Sequence, residues 1–159
     1  ERSRGLGDVY KRQILSLMNT DDFVSDATWI AKRLGITLEA SQKCIDNLLQ
    51  IGIVGWQEGR LVRLRSSLTT TVDIPSKALR EAHHNHIKKA AHSLENIAVE
   101  MRDFSSITMP MDPERLPEAK KIITRFRRSL TSLMESGKKK EVYTLNIQLY
   151  PLSVPMEKA

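Results

Sequence analysis

The sequence predicts an α+β fold in two units, and three observations carry that reading. Apolar residues recur at three- and four-residue steps within 14–49, 78–101 and 119–134, the spacing of a buried helix face. Only Gly35-Ile36 separates two of the early stripes, which is the short glycine-containing turn of a helix-turn-helix. Short stretches within 53–65, 105–111 and 142–150 alternate instead, the period of a strand. The expected order is a winged helix-turn-helix over 14–72, followed by a helix, strand, helix, strand unit over 73–159.

The bulk properties set the class. With 159 residues, 40% of them apolar, the chain can bury two small cores that share an interface. One cysteine, Cys44, excludes an internal disulfide and any CxxC metal framework, so a reducing, cytoplasmic setting is expected. No apolar run approaches the roughly 20 residues of a spanning helix, and the N-terminal residues lack a signal-peptide core, so no membrane partner is expected.

The formal charge is +6, but it is unevenly placed. Residues 14–72 carry as many acidic as basic side chains, and the excess lies in 1–13 and 73–159. Residues 1–13 show mixed charge, two glycines and no apolar stripe, and they read as a loose, non-native tail resembling translated adapter sequence.

A first helix is expected from Ile14, with Leu15, Leu17 and Met18 on its stripe, ending at Asn19 to Asp22. Ser25 or Asp26 can cap a second, whose Ala27, Ile30, Ala31 and Leu34 share a face and which stops at Gly35. Thr37 caps a third helix, with Ala40 or Ser41, Cys44, Ile45, Leu48 and Leu49 buried. Two short runs around Glu58-Gly59 then read as a hairpin, the wing.

This arrangement points to duplex DNA as a partner. The third helix would enter the major groove with Thr37, Gln42, Lys43 and Asn47 as candidate contacts. Arg60, Arg63 and Arg65 on the wing, with Lys32 and Arg33 beside the turn, would meet phosphates. Glu39 and Asp46 oppose this reading, because a carboxylate near a phosphate is repelled, and they favour a protein partner instead.

In the second unit a long helix is expected from Ile74-Pro75-Ser76, its stripe running from Ala78 to Met101 over about seven turns. It carries all four histidines, His83, His84, His86 and His92. Only His83 and His86 have ligand-compatible spacing and nothing supplies further ligands, so a part-buried, hydrogen-bonded His86 among solvated histidines is expected, and no metal. Ile107, Met109 and Met111 predict one strand; Asp112-Pro113-Glu114 opens helical structure; Ala119, Ile122, Ile123, Phe126, Leu130, Leu133 and Met134 form a further helix stripe. Tyr143, Leu145, Ile147 and Leu149 predict a last strand, parallel to the first through a right-handed crossover. Two strands seldom make a stable sheet alone, so a homodimer is expected. A second basic patch comprises Lys120, Lys121, Arg125, Arg127 and Arg128, with Lys138, Lys139 and Lys140, and its simplest reading is a solvated helix face.

The stretches DIPSKALREAHHNHIKKA, ITRFRRSL and VYTLNIQLYPL, with the pattern formed by Pro75, Ser76, Ala78, Arg80 and His83, resemble an uncharacterised family of bacterial conserved hypothetical proteins. The resemblance covers about 14–155. It implies a winged helix joined to a small α/β domain and brings no catalytic or ligand residues. No phosphate loop, nucleophile elbow or catalytic carboxylate pair is present in the sequence, so a non-enzymatic protein without a cofactor is expected. A transcriptional regulator is the leading expectation and a protein-interaction module the second.

Overall fold

The computed structural model describes residues 3–65 and 77–153. Five helices, α1 (Ser3–Leu17), α2 (Ala27–Leu34), α3 (Leu38–Gln50), α4 (Lys77–Asn96) and α5 (Leu116–Met134), accompany a hairpin of β1 (Val54–Gln57) and β2 (Arg60–Arg63). This is an α+β fold. The connector expected at 67–73 and the helix start expected at 74–76 lie outside the described residues.

The core gathers the first three helices and the hairpin. Ile14, Leu17, Ile30, Leu48 and Val54 are essentially inaccessible, and Leu15, Cys44, Ile45, Ile53 and Leu61 complete the cluster. Each large aliphatic side chain removed from water contributes roughly 1.5–3 kcal/mol, which makes this cluster the main source of stability for the unit. Phe23 and Trp29 seal one side in an edge-to-face pair with centroids 5.7 Å apart.

Local chemistry sets the boundaries. Thr20 ends α1, its buried hydroxyl donating to the Leu17 carbonyl at 2.7 Å. The Asp26 carboxylate caps α2 by accepting from the Trp29 N–H at 2.8 Å. Ser25, the other candidate cap, instead accepts from the Leu61 N–H at 2.9 Å and ties the loop before α2 to the hairpin. Gly35 ends α2 at φ 61°, a left-handed conformation that glycine adopts without side-chain strain.

The sequence reading of a loose tail is corrected for residues 3–13. Helix α1 begins at Ser3, and Tyr10 packs against the same core as Ile14 and Leu17. The Lys89 ammonium of α4 lies 4.6 Å from the Tyr10 ring centroid and donates to Gln13 Oε1 at 2.8 Å, fixing α4 along α1. The spacing of Tyr10, Ile14 and Leu17 carries the helical period across the expected boundary at 14.

Three expectations for the second unit also change. Helix α4 stops at Asn96, five residues before the end of the predicted stripe, and a single 3-10 turn follows at Val99–Met101. The Asn96 side chain donates to the His92 carbonyl at 2.8 Å, and Arg102 Nε donates to the Ile97 carbonyl at 2.8 Å, so side chains take up carbonyls at the helix end. Leu79, Ala82, His86, Lys89, Ala90 and Ser93 form the half-buried face of α4, while Ile87 and Leu94 are exposed.

The strands expected at 105–111 and 142–150 do not form among the described residues. Among the described residues the sheet is the β1–β2 hairpin, and neither segment joins it. Two short strands with no third partner gain too little to form a stable ladder, and Pro110 removes a donor from the first. A 3-10 turn at Pro113–Arg115, capped by Asp112 accepting from the Glu114 N–H at 3.0 Å, leads into α5, which forms as the sequence predicts, but its Ile122, Phe126, Leu133 and Met134 remain exposed.

Candidate nucleic-acid interface

The candidate site is the outer face of α3 with the adjoining hairpin. Two residues, Ile36 and Thr37, separate Gly35 from the start of α3, and the Thr37 hydroxyl accepts from the Ala40 N–H at 3.1 Å. Thr37 is therefore the cap that positions α3, which gives its hydroxyl a structural partner rather than a base edge. Ser41, Cys44, Ile45 and Leu48 are buried at three- and four-residue steps. That stripe fixes the rotation of α3 and turns Glu39, Gln42, Lys43, Asp46 and Gln50 to solvent, with Asn47 half-buried at their margin.

The outer face is not uniformly basic. Gln42 Nε2 donates to Asp46 Oδ1 at 3.0 Å, one helical turn away, so the amide partly screens the carboxylate and leaves the Gln42 carbonyl oxygen as an acceptor. Lys43 is the cation of this face.

The hairpin is built on a two-residue loop. Glu58 at φ 48° and Gly59 at φ 74° are the consecutive positive values of a type I′ turn, whose twist matches antiparallel strands. The register pairs Val54 with Arg63, Trp56 with Leu61 and Gln57 with Arg60. Val54 and Leu61 point to the core; Arg60 stands exposed at the tip. Arg63 and Arg65 are exposed beyond it, and Arg63 Nε donates to the Arg65 carbonyl at 3.0 Å. Trp56 is exposed on the same hairpin, a feature not singled out from sequence as part of the site.

Arg33 is placed differently from the sequence expectation. Its guanidinium donates from Nη2 to the Lys140 carbonyl at 2.6 Å, lies 3.3 Å from Glu141 Oε2 and 3.8 Å from Asp22 Oδ2, and sits over the Trp29 ring at 5.6 Å. Two carboxylates, a carbonyl and an aromatic face thus hold it, and it is not presented as a phosphate contact. Lys32, on the same last turn of α2, is exposed.

The second basic patch is divided by the structure. Lys120, Lys121, Arg125, Arg127 and Arg128 are exposed along α5. Lys138, Lys139 and Lys140 instead lie on a segment fastened to the three-helix cluster. Lys139 donates its N–H to Asp21 Oδ2 at 3.0 Å, its carbonyl accepts from the Asp21 N–H at 2.8 Å, and Val142 packs against the core. Sequence reasoning missed this latch because its partners lie more than a hundred positions apart. The one sequence signal was the acidic pair Asp21-Asp22, complementary to the lysine run.

Of the histidines, His86 is half-buried with Nδ1 3.0 Å from Asn146 Oδ1, while His83, His84 and His92 are exposed, as the sequence predicts. Among the described residues no group of three or more His, Cys, Asp or Glu is placed to hold a metal ion. Among the same residues no helix is long and apolar enough to cross a membrane.

Compared with known families, residues 7–152 match the model described as Domain of unknown function (DUF4423). The match begins inside the stretch read from sequence as a tail. No curated protein and no solved structure matches the chain.

Proposed function

The chain belongs to the DUF4423 family of unknown function, and within it we propose a winged-helix transcription regulator of the bacterial kind that binds duplex DNA in the cytoplasm. The observation that carries this reading is the outer face of α3. A capped helix whose rotation is locked by Ser41, Cys44, Ile45 and Leu48 presents Gln42, Lys43, Asn47 and Gln50 beside a hairpin bearing Arg60, Arg63 and Arg65. Amides and a lysine match the acceptor and donor edges of the major groove, and exposed hairpin arginines match the flanking phosphates. On this reading Lys32 is a further phosphate contact, Thr37 acts through helix position, and Arg33 contributes nothing directly. The reading is non-catalytic and requires no cofactor.

A protein-interaction module is the second reading, favoured by Glu39 and Asp46 on the same face and by exposed Trp56 and Leu38. Fluorescence anisotropy with mixed-sequence duplex DNA over a salt series separates the two. Binding that weakens steeply with salt supports the regulator; a folded protein that shows no binding at low salt supports the interaction module.

A further inference from the structure

The run Lys138-Lys139-Lys140 is held against the helix-turn-helix by its backbone alone. Lys139 donates its N–H to Asp21 Oδ2 and accepts from the Asp21 N–H through its carbonyl, and the Lys140 carbonyl accepts from Arg33 Nη2. Val142 anchors the same stretch on the core. Adjacent like charges repel, and such a run is ordinarily solvated and loose. The nearby carboxylates do not take up the lysines: Asp21 accepts from a backbone N–H, and Asp22 and Glu141 lie 3.8 and 3.3 Å from the Arg33 guanidinium. Among the described residues none of the three ammonium groups has a hydrogen-bond or ion-pair partner, and all three lysines are exposed.

We propose that Lys138, Lys139 and Lys140 are a second phosphate grip for duplex DNA, a proposal that rests on the DNA-binding reading of α3. The placement of the run relative to α2 carries it. Arg33, in the last turn of α2, holds the lysine strap, whereas the hairpin is held at the other end of that helix, where Ser25 accepts from the Leu61 N–H. The eight residues of α2 span about 12 Å, close to the width of the major groove, so cations held at its two ends can reach the phosphates on both sides of a groove that α3 enters. In a helix-turn-helix the first helix crosses the DNA backbone, which is where the strap lies. Exposed Lys32 stands on the same last turn, so five cations, Lys32, Arg33 and the three lysines, outweigh Asp21, Asp22 and Glu141 there. Fastening through the backbone keeps the run in place without consuming its charge, and a lysine needs only to present a point charge to a phosphate.

The test is a salt series of fluorescence anisotropy titrations with mixed-sequence duplex DNA, on the full chain and two triple variants with unchanged helical circular dichroism. Lys138→Ala, Lys139→Ala, Lys140→Ala is expected to bind every duplex more weakly and to lose between two and three units of the slope of log affinity against log salt, about 0.9 for each phosphate contact. Lys121→Ala, Arg125→Ala, Arg128→Ala removes the same charge from α5, which is not fastened to the helix-turn-helix in this way, and is expected to keep the slope within one unit of the wild type. A wild-type slope in the Lys138–Lys140 variant overturns the grip and leaves the DNA reading standing. Equal losses in both variants assign the effect to net charge and overturn the grip as well. A wild-type chain that does not bind duplex DNA at low salt overturns the DNA reading and the grip together.

Discussion

Gln42 and Asp46 lie one turn apart on the outer face of α3, and the Gln42 amide donates to the Asp46 carboxylate at 3.0 Å. The pair holds a negative charge on the face proposed to approach DNA. A carboxylate a few ångströms from a phosphate costs about 1 kcal/mol even in water. Asp46→Asn is therefore expected to tighten binding to mixed duplex roughly fivefold in an anisotropy titration. Unchanged or weaker binding would place Asp46 away from the phosphates or in a productive contact with a base.

Replacing Arg60, Arg63 and Arg65 together with alanine is expected to weaken binding to every duplex by a similar factor. Each lost phosphate contact lowers the slope of log affinity against log salt by about 0.9, so the triple variant should lose between two and three units of slope. A slope equal to that of the wild type would remove the hairpin from the interface.

Thr37→Ala deletes the hydroxyl that accepts from the Ala40 N–H. The expected cost is about 1 kcal/mol of stability, read as a fall of several degrees in Tm. Well below that temperature the duplex affinity is expected to persist within about twofold, because the lost interaction is a helix cap. A large affinity loss at unchanged Tm would give Thr37 a direct contact instead.

Arg33→Ala provides the complementary test. It removes the donor to the Lys140 carbonyl and the ion pairs to Asp22 and Glu141. Hydrogen exchange at the Asp21 and Lys139 amides should accelerate while the salt slope of DNA binding stays that of the wild type. A reduced slope would return Arg33 to the phosphate contacts.

Burial between Tyr10 and Gln13 lowers the pKa of Lys89 from its ordinary value. The charged form is thus disfavoured on folding, and between the folded and unfolded pKa values the unfolded chain binds more protons, so stability rises with pH across that window. Lys89→Met removes the penalty. Its stability relative to wild type, measured by urea titration, should be most favourable near neutral pH and decline as the pH climbs toward the ordinary lysine value, on top of a pH-independent loss of the Gln13 and Tyr10 contacts. A difference independent of pH would assign the effect to those contacts and packing alone.

Local rules made the first unit legible. The period of Ile30, Ala31, Cys44, Ile45 and Leu48, the caps at Asp26 and Thr37, the stop at Gly35 and the Glu58-Gly59 turn all depend on residues within a few positions of one another. Sequence failed where the deciding partner was distant. Tyr10 looked unpatterned because its neighbour Lys89 lies on α4, and Arg33 looked like a phosphate ligand because Lys140 and Glu141 could not be foreseen. The strand expected at 142–150 does not form among the described residues, because whether an alternating stretch pairs depends on a distant partner strand that local spacing does not specify.

The fastening of Lys139 to Asp21 also orders the events of folding. The two residues are 118 positions apart, whereas the contacts that build the three-helix cluster and hairpin span a few tens at most. Closing so long a loop at once costs on the order of 4 kcal/mol in chain entropy, more than two or three hydrogen bonds worth about 1 kcal/mol each recover. Docking of α4 on α1 through Lys89 and Gln13, 76 positions apart, shortens the remaining loop first. During synthesis the early helices can thus collapse while the rest of the chain is still emerging, and the lysine-rich segment reaches its seat only once α4 and α5 have left the ribosome.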